Sequence, residues 1–401
     1  MVVSDIQSFH VAWFVTHDTQ FDVTLRIGDG RLLGVESGRS VDAIDLGRVA
    51  LIDGLVNAHT HLEFSGIAQP IPTAGRFTDW IRAVIAHRRA HPANVGEAVR
   101  AGLCESLESG TTLLGDIATS GWSSQDYAAS QIPGIVFQEI LGLLPDRIDE
   151  QRNLASAHQY RIVTPLSAGI SPHAPYSTHL DLVHEAVDLA RKTGCPLAMH
   201  LAETQAELEL LAQGTGEFRE LLTELGIWRD DPSAFGKRPM DYLEILSQAP
   251  RALVIHGNFL EEDELQFIAA RPHMTLVYCP RTHAAFGHSD HPWRRLLEQG
   301  GQVALGTDSR ASNPDLSLFA ELQFLASQNP EHSHLDLLQL GSSAGRIALG
   351  LGGSDRANFT LVRLGDSSLN DPQRHLFAQT NRVCGTMVNG RWVWRQTDQS
   401  R

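Results

Sequence analysis

Lysine is nearly absent from this chain of 401 residues; it occurs only at Lys192 and Lys237. Cysteine is scarce as well. Cys104, Cys195, Cys279 and Cys384 stand far apart, with no C-x-x-C pair. That spacing excludes a disulfide framework and a cysteine-ligated zinc site. It fits reduced, mostly buried thiols in a cytoplasm. Positive charge is in deficit: 32 Lys and Arg against 47 Asp and Glu leave a net charge of −15. A basic face for nucleic acid or anionic membrane is therefore not expected. No apolar stretch approaches the ~20 residues that a bilayer span requires. No Lys or Arg precedes Arg26, so the basic region of a secretory signal is lacking too. The expected location is cytoplasmic.

What the chain does have is an ordinary globular composition, 42% hydrophobic and 20% charged, which excludes disorder. Both ends read as β. Gly28-Asp29-Gly30 and Asn389-Gly390 are hairpin signals between short strand-like runs. The simplest union is one small composite β-sandwich domain made from residues 1–53 and 356–401. Between them, eight apolar runs alternate with helical patterns: 55–59, 111–117, 134–140, 167–172, 196–200, 252–256, 274–278 and 302–307. Eight such units over residues 54–355 predict a (β/α)8 TIM barrel, with a doubly wound open sheet as the alternative. Segment 214–250 reads as an insertion after the fifth strand.

Several of these runs end in groups that bind metals or move protons. His59 and His61 sit at i and i+2, so both imidazoles can face one side of a strand. His200 ends the fifth run, with Glu203 three residues on. His256 ends the sixth and Asp308 the eighth. Each alone is more often structural than functional. Together they gather imidazoles and a carboxylate at the C-terminal face, where barrel active sites are built. Donors of this kind suit Zn2+ or Fe2+.

Taken together, His59-x-His61, His200-x-x-Glu203, His256 in HGN and Asp308 in GTDS resemble the amidohydrolase superfamily, in its deaminase and chlorohydrolase-like branch. NAHTHLEFS (57–65) and HAPYS (173–177) strengthen the likeness, and CPRTHAAFG (279–287) departs from it. The resemblance implies one divalent ion, Zn2+ or Fe2+, on His59, His61, His200 and Asp308. It implies Glu203 as the group that protonates a substrate ring nitrogen, His256 as an aid to the attacking water, and Asp308 as acceptor of its proton. Glu63, His173, Arg281 and His283 are expected substrate contacts, Arg281 as a fork for an anionic group. Trp80 is a candidate roof for the pocket.

The expected activity is metal-dependent deamination of an aminated purine-like heterocycle or nucleoside, with 6-amino-6-deoxyfutalosine as the leading candidate. Hydrolysis of another C–N, C–Cl or cyclic amide bond is the alternative, and a catalytically silent metal-binding barrel is a third reading. The fourth run offers no lysine to bridge two metals, so a single ion is expected unless Glu139 holds a second. P-C-x-x-C is missing, which excludes the cysteine-based zinc deaminase site. A small molecule is the expected partner, and self-association into a homo-oligomer is left open.

Overall fold

The computed structural model describes residues 6–90, 95–119, 121–229, 235–352, 356–365 and 371–396. Residues 1–5, 366–370 and 397–401 of the expected terminal unit, and 353–355 at its border, lie outside them.

The eight apolar runs form eight parallel strands in sequence order: Leu55–Thr60, Thr111–Ala118, Gly134–Ile140, Leu166–Pro172, Leu197–Leu201, Ala252–His256, Met274–Tyr278 and Gln302–Leu305. Their near-continuous burial is what a parallel sheet covered on both faces requires. The sheet curls shut. Thr60 bridges Asp308 in parallel, and the His59 carbonyl accepts from the N–H groups of both Thr307 and Asp308, each at 3.1 Å. Asn57 adds a side-chain link to Thr307, 2.7 Å from Nδ2 to Oγ1. The seam needs a glycine. A Cβ on Gly306 would lie 2.8 Å from the His59 carbonyl oxygen and 2.9 Å from its Cβ.

Helices between the strands bury one stripe each. In Leu180–Thr193 the buried residues are Leu182, Val183, Ala186, Val187 and Ala190, spaced to line one face. Segment 214–250 carries the helices Gly216–Glu224 and Pro239–Leu246 after the fifth strand. Among the described residues, no helix is long and apolar enough to cross a membrane.

The two ends of the chain share a second, eight-stranded sheet. Strand Gln7–Val15 pairs with Thr19–Gly28 and with Val49–Asp53, and Val49–Asp53 pairs with Phe359–Arg363 near the other end of the chain. Arg382–Val388 and Arg391–Arg395 extend the sheet through the Asn389-Gly390 turn, whose positive φ values of 49° and 75° fit a tight hairpin. Phe9 and Trp392 are four strands apart along the sheet, yet their ring centroids are 5.7 Å apart. The sheet therefore folds over itself, and its two halves enclose one core that includes Phe9, Val11, Leu25, Leu51, Phe359 and Met387.

Candidate metal centre

Five strand-end side chains converge inside the barrel mouth. His59, His61, His200, His256 and Asp308 are all buried. The donor atoms of His59, His200 and His256 lie within 4.8 Å of one another, as do those of His59, His61 and Asp308. Asp308 Oδ1 is 3.6 Å from His59 Nε2 and 3.7 Å from His61 Nε2. The backbone is bent to aim these groups. His256 and Asp308 sit at positive φ (65° and 58°), a conformation that costs a non-glycine residue of order 1 kcal/mol or more.

The cluster has the chemistry of a cation site. His59 is wholly buried, and neither of its ring nitrogens has a hydrogen-bond partner among the described residues. Unpaired buried nitrogens of this kind are costly unless something binds them. Burial holds His59, His61 and His256 well below the usual imidazole range, and it brings His200 to about 4. Neutral imidazoles keep the lone pairs a metal needs. His200 Nδ1 donates to the His173 carbonyl at 2.9 Å, which leaves Nε2 free to face the cluster. Ser312 Oγ donates to Asp308 Oδ2 at 2.6 Å and fixes that carboxylate.

Glu203 shares the cavity. Its Oε1 lies 3.4 Å from His256 Nε2. Burial, then the Asp308 and Glu207 carboxylates, push its pKa well above the usual carboxyl range. The loop that carries it is pinned from two sides. Glu207 accepts from the N–H groups of Ala202 and Glu203, at 2.8 and 2.9 Å, and Asn258 Nδ2 donates to the Glu203 carbonyl at 2.9 Å. Glu207 was not expected from the sequence. Its place one helical turn beyond Glu203, at the start of helix Gln205–Gln213, is the only signal for it.

The cavity above the cluster is about 310 Å³ and mostly apolar. Its roof comes from helix Phe77–Ala90 and helix Gly216–Glu224. Trp80 is part of it as expected, its Nε1 donating to the Ala311 carbonyl at 3.3 Å. Tyr176 stacks on Phe218 at 4.2 Å between centroids, and the Arg82–Glu224 ion pair at 2.8 Å ties the two helices together. His173 lines this cavity, with Nδ1 bonded to Ser177 Oγ at 2.6 Å.

Three of the expected substrate contacts are placed differently. Glu63 lines an adjoining cavity, where its carboxylate is held by Arg88 and by Thr119. His283 does not line the cavity above the cluster. Its Nε2 donates to the Ser289 carbonyl at 2.7 Å, and Nδ1 meets the Asn258 side chain at 3.1 Å. Arg281 does not line it either. Its guanidinium is consumed by the fully buried Glu321 at 2.7 Å and by Asp315 at 2.6 Å. With those acceptors at hand, it has no fork left for a ligand anion. Arg281→Met should therefore lower thermal stability by about 3 kcal/mol, the scale for breaking a buried pair. It should leave KM unchanged within about twofold. Thermal denaturation with steady-state kinetics on the same preparation checks both, and a raised KM at unaltered stability would return Arg281 to the pocket.

Known proteins share this plan. The chain is 26% identical over 363 residues to an aminodeoxyfutalosine deaminase of Nitratiruptor sp., covering 85% of this chain and 86% of that one. It is 28% identical over 413 residues to a 5-methylthioadenosine/S-adenosylhomocysteine deaminase of Nitratidesulfovibrio vulgaris, covering 93% and 88%. The crystal structure of Helicobacter pylori aminofutalosine deaminase with methylthio-coformycin superposes with a TM-score of 0.83 at 21% identity, covering 96% of this chain and 99% of that one. The amidohydrolase family pattern matches residues 51–393, which include every residue of the His–Asp cluster, and the chain belongs to that family.

Proposed function

We propose that the protein is a metal-dependent deaminase that replaces the exocyclic amine of an aminopurine nucleoside by oxygen, releasing ammonia. One observation carries this reading: the buried carboxyl of Glu203 and a His–Asp cluster able to hold a metal share one cavity under an apolar roof. The names of the two deaminase relatives support the same substrate class. We assign a single Zn2+ or Fe2+ to His59, His61, His200 and Asp308; when bound, the ion supplies Lewis acidity that brings the pKa of water toward about 7.

The protein's own groups then divide the proton work. Glu203 holds a proton at its carboxyl, because burial and neighbouring carboxylates raise its pKa. It gives that proton to the ring nitrogen beside the aminated carbon, making the carbon electrophilic. Asp308 takes a proton from the attacking water while Ser312 keeps its carboxylate in place. His256, fixed by its strained backbone, orients the water. The C–O bond forms, Asp308 passes its proton to the amine, the C–N bond breaks and ammonia leaves, and the remaining hydroxyl proton returns to Glu203, restoring its carboxyl and leaving a carbonyl beside the protonated ring nitrogen. Phe77, Trp80, Tyr176 and Phe218 exclude bulk water and offer flat faces to a heterocycle. The few, widely separated cysteines of the sequence support a cytoplasmic setting for this chemistry.

The test is ammonia release from metal-loaded enzyme with 6-amino-6-deoxyfutalosine, 5′-methylthioadenosine and adenosine. The first is expected to show the highest kcat/KM. Chloride release from a chlorinated heterocycle, with no ammonia from any nucleoside, would select the C–Cl alternative instead.

A further inference from the structure

The proton work above leaves Glu139 unused. It lies near the end of the third barrel strand and is only 6% exposed. Among the described residues its carboxylate has no hydrogen-bond partner, and His173 Nε2 lies 3.9 Å away. A carboxylate that lines a cavity without a protein donor has acceptor capacity open to a ligand.

Its location suggests what supplies the donor. Glu139 lines the catalytic cavity together with His200, Glu203 and Asp308. It also lines the adjoining cavity of about 720 Å³, together with Glu63, Thr119 and Arg147. Phe64, Arg88 and Leu141 likewise border both. Glu139 therefore stands at a junction, with a flat apolar compartment on one side and a roomier one on the other. Arg88, placed over the Phe64 ring, pairs with Glu63, so Glu63 is already occupied and Glu139 is the acceptor left open.

The ligand group at this junction can be narrowed by charge. An anion would meet two carboxylates, and a cation would lie beside Arg88. A carboxylate accepts and cannot donate, and its two oxygens match the two donors of a vicinal diol. We propose that Glu139 binds the sugar hydroxyls of the nucleoside, with the base in the His–Asp cavity and the 5′ side directed into the larger one. This rests on the aminopurine-nucleoside reading above and adds a specificity-determining residue to it.

The experiment is calorimetric binding of three unreactive probes, inosine, 2′,3′-dideoxyinosine and hypoxanthine, to metal-loaded wild type, Glu139→Gln and Glu139→Ala. Metal content is measured on each preparation. Wild type is expected to prefer inosine over the dideoxynucleoside by tenfold or more, the scale of a hydrogen bond to a charged group. That preference should collapse in Glu139→Ala and persist in part in Glu139→Gln, which keeps one acceptor oxygen. Hypoxanthine should bind all three proteins alike, which also shows that the base cavity has survived the substitution. An unchanged inosine preference in Glu139→Ala would overturn the assignment. So would loss of a second equivalent of metal, which would make Glu139 a metal ligand. If wild type released ammonia from free aminopurines yet bound neither nucleoside, the deaminase reading would stand and the sugar contact would fall.

Discussion

His59→Ala should purify without its divalent ion and release ammonia at least about 10³-fold more slowly than wild type. The loss follows from position. His59 belongs to both donor groups in the barrel mouth, and both of its ring nitrogens are unpaired at full burial. No lysine is near to stand in for it, since the two in the chain lie elsewhere. Losing the Lewis acid removes several kcal/mol of transition-state stabilisation, and each 1.36 kcal/mol is about tenfold in rate. Elemental analysis beside the activity assay decides the matter. The same residue backs onto the barrel seam, so the substitution also risks the fold. Chelation of wild type separates the two effects. The stripped protein should be inactive and should recover activity when one equivalent of Zn2+ or Fe2+ is returned. Full metal content in a folded His59→Ala would remove His59 from the ligand set.

Glu203→Gln should do the opposite: keep the metal and lose the chemistry. Glutamine has the shape of glutamate, and the Glu207 and Asn258 contacts to this loop reach its backbone rather than its side chain. The loop should therefore stay where it is. What disappears is a proton held in a water-poor cavity, and kcat should fall by about 10²-fold or more, the usual scale for a positioned acid. KM should change far less, because the ring nitrogen can still hydrogen-bond to the amide. Single-turnover and steady-state rates on metal-matched preparations measure this. Retained activity would mean that another group delivers the proton.

The convergence of His59, His61, His200, His256 and Asp308 is legible in the sequence because its signal is local. A strand end sets the direction of its last residues, and eight parallel strands place eight such ends on one face. Glu63 shows where that logic stops. Strand alternation would carry it to the same side as His59 and His61. The chain instead turns into a short 3-10 helix at Leu62–Phe64, and Glu63 swings to Arg88 and Thr119. Arg281 fails for a different reason. Pro280 opens a helix directly after the seventh strand, and the acceptors that capture the guanidinium lie 34 and 40 positions downstream. No spacing rule reports a contact of that range. The apolar roof was half visible. Trp80 stood out, but its partner helix at Gly216–Glu224 lay inside a segment that reads only as an insertion.

The sheet formed by the two ends of the chain has a consequence for synthesis. Val49–Asp53 immediately precedes the barrel and pairs with Phe359–Arg363, roughly 300 residues later. At about 5–20 residues per second, the first strands leave the ribosome on the order of 15–60 s before their partner exists. Through that interval the N-terminal strands have an open edge, with Val49, Leu51 and Phe9 uncovered and only half of their core available. The barrel must be translated in full before its own start is sheltered. The nascent protein is therefore prone to aggregate at its N-terminal strands. A holding chaperone would act on those strands during elongation, and its work would end when the last hairpin closes the sheet.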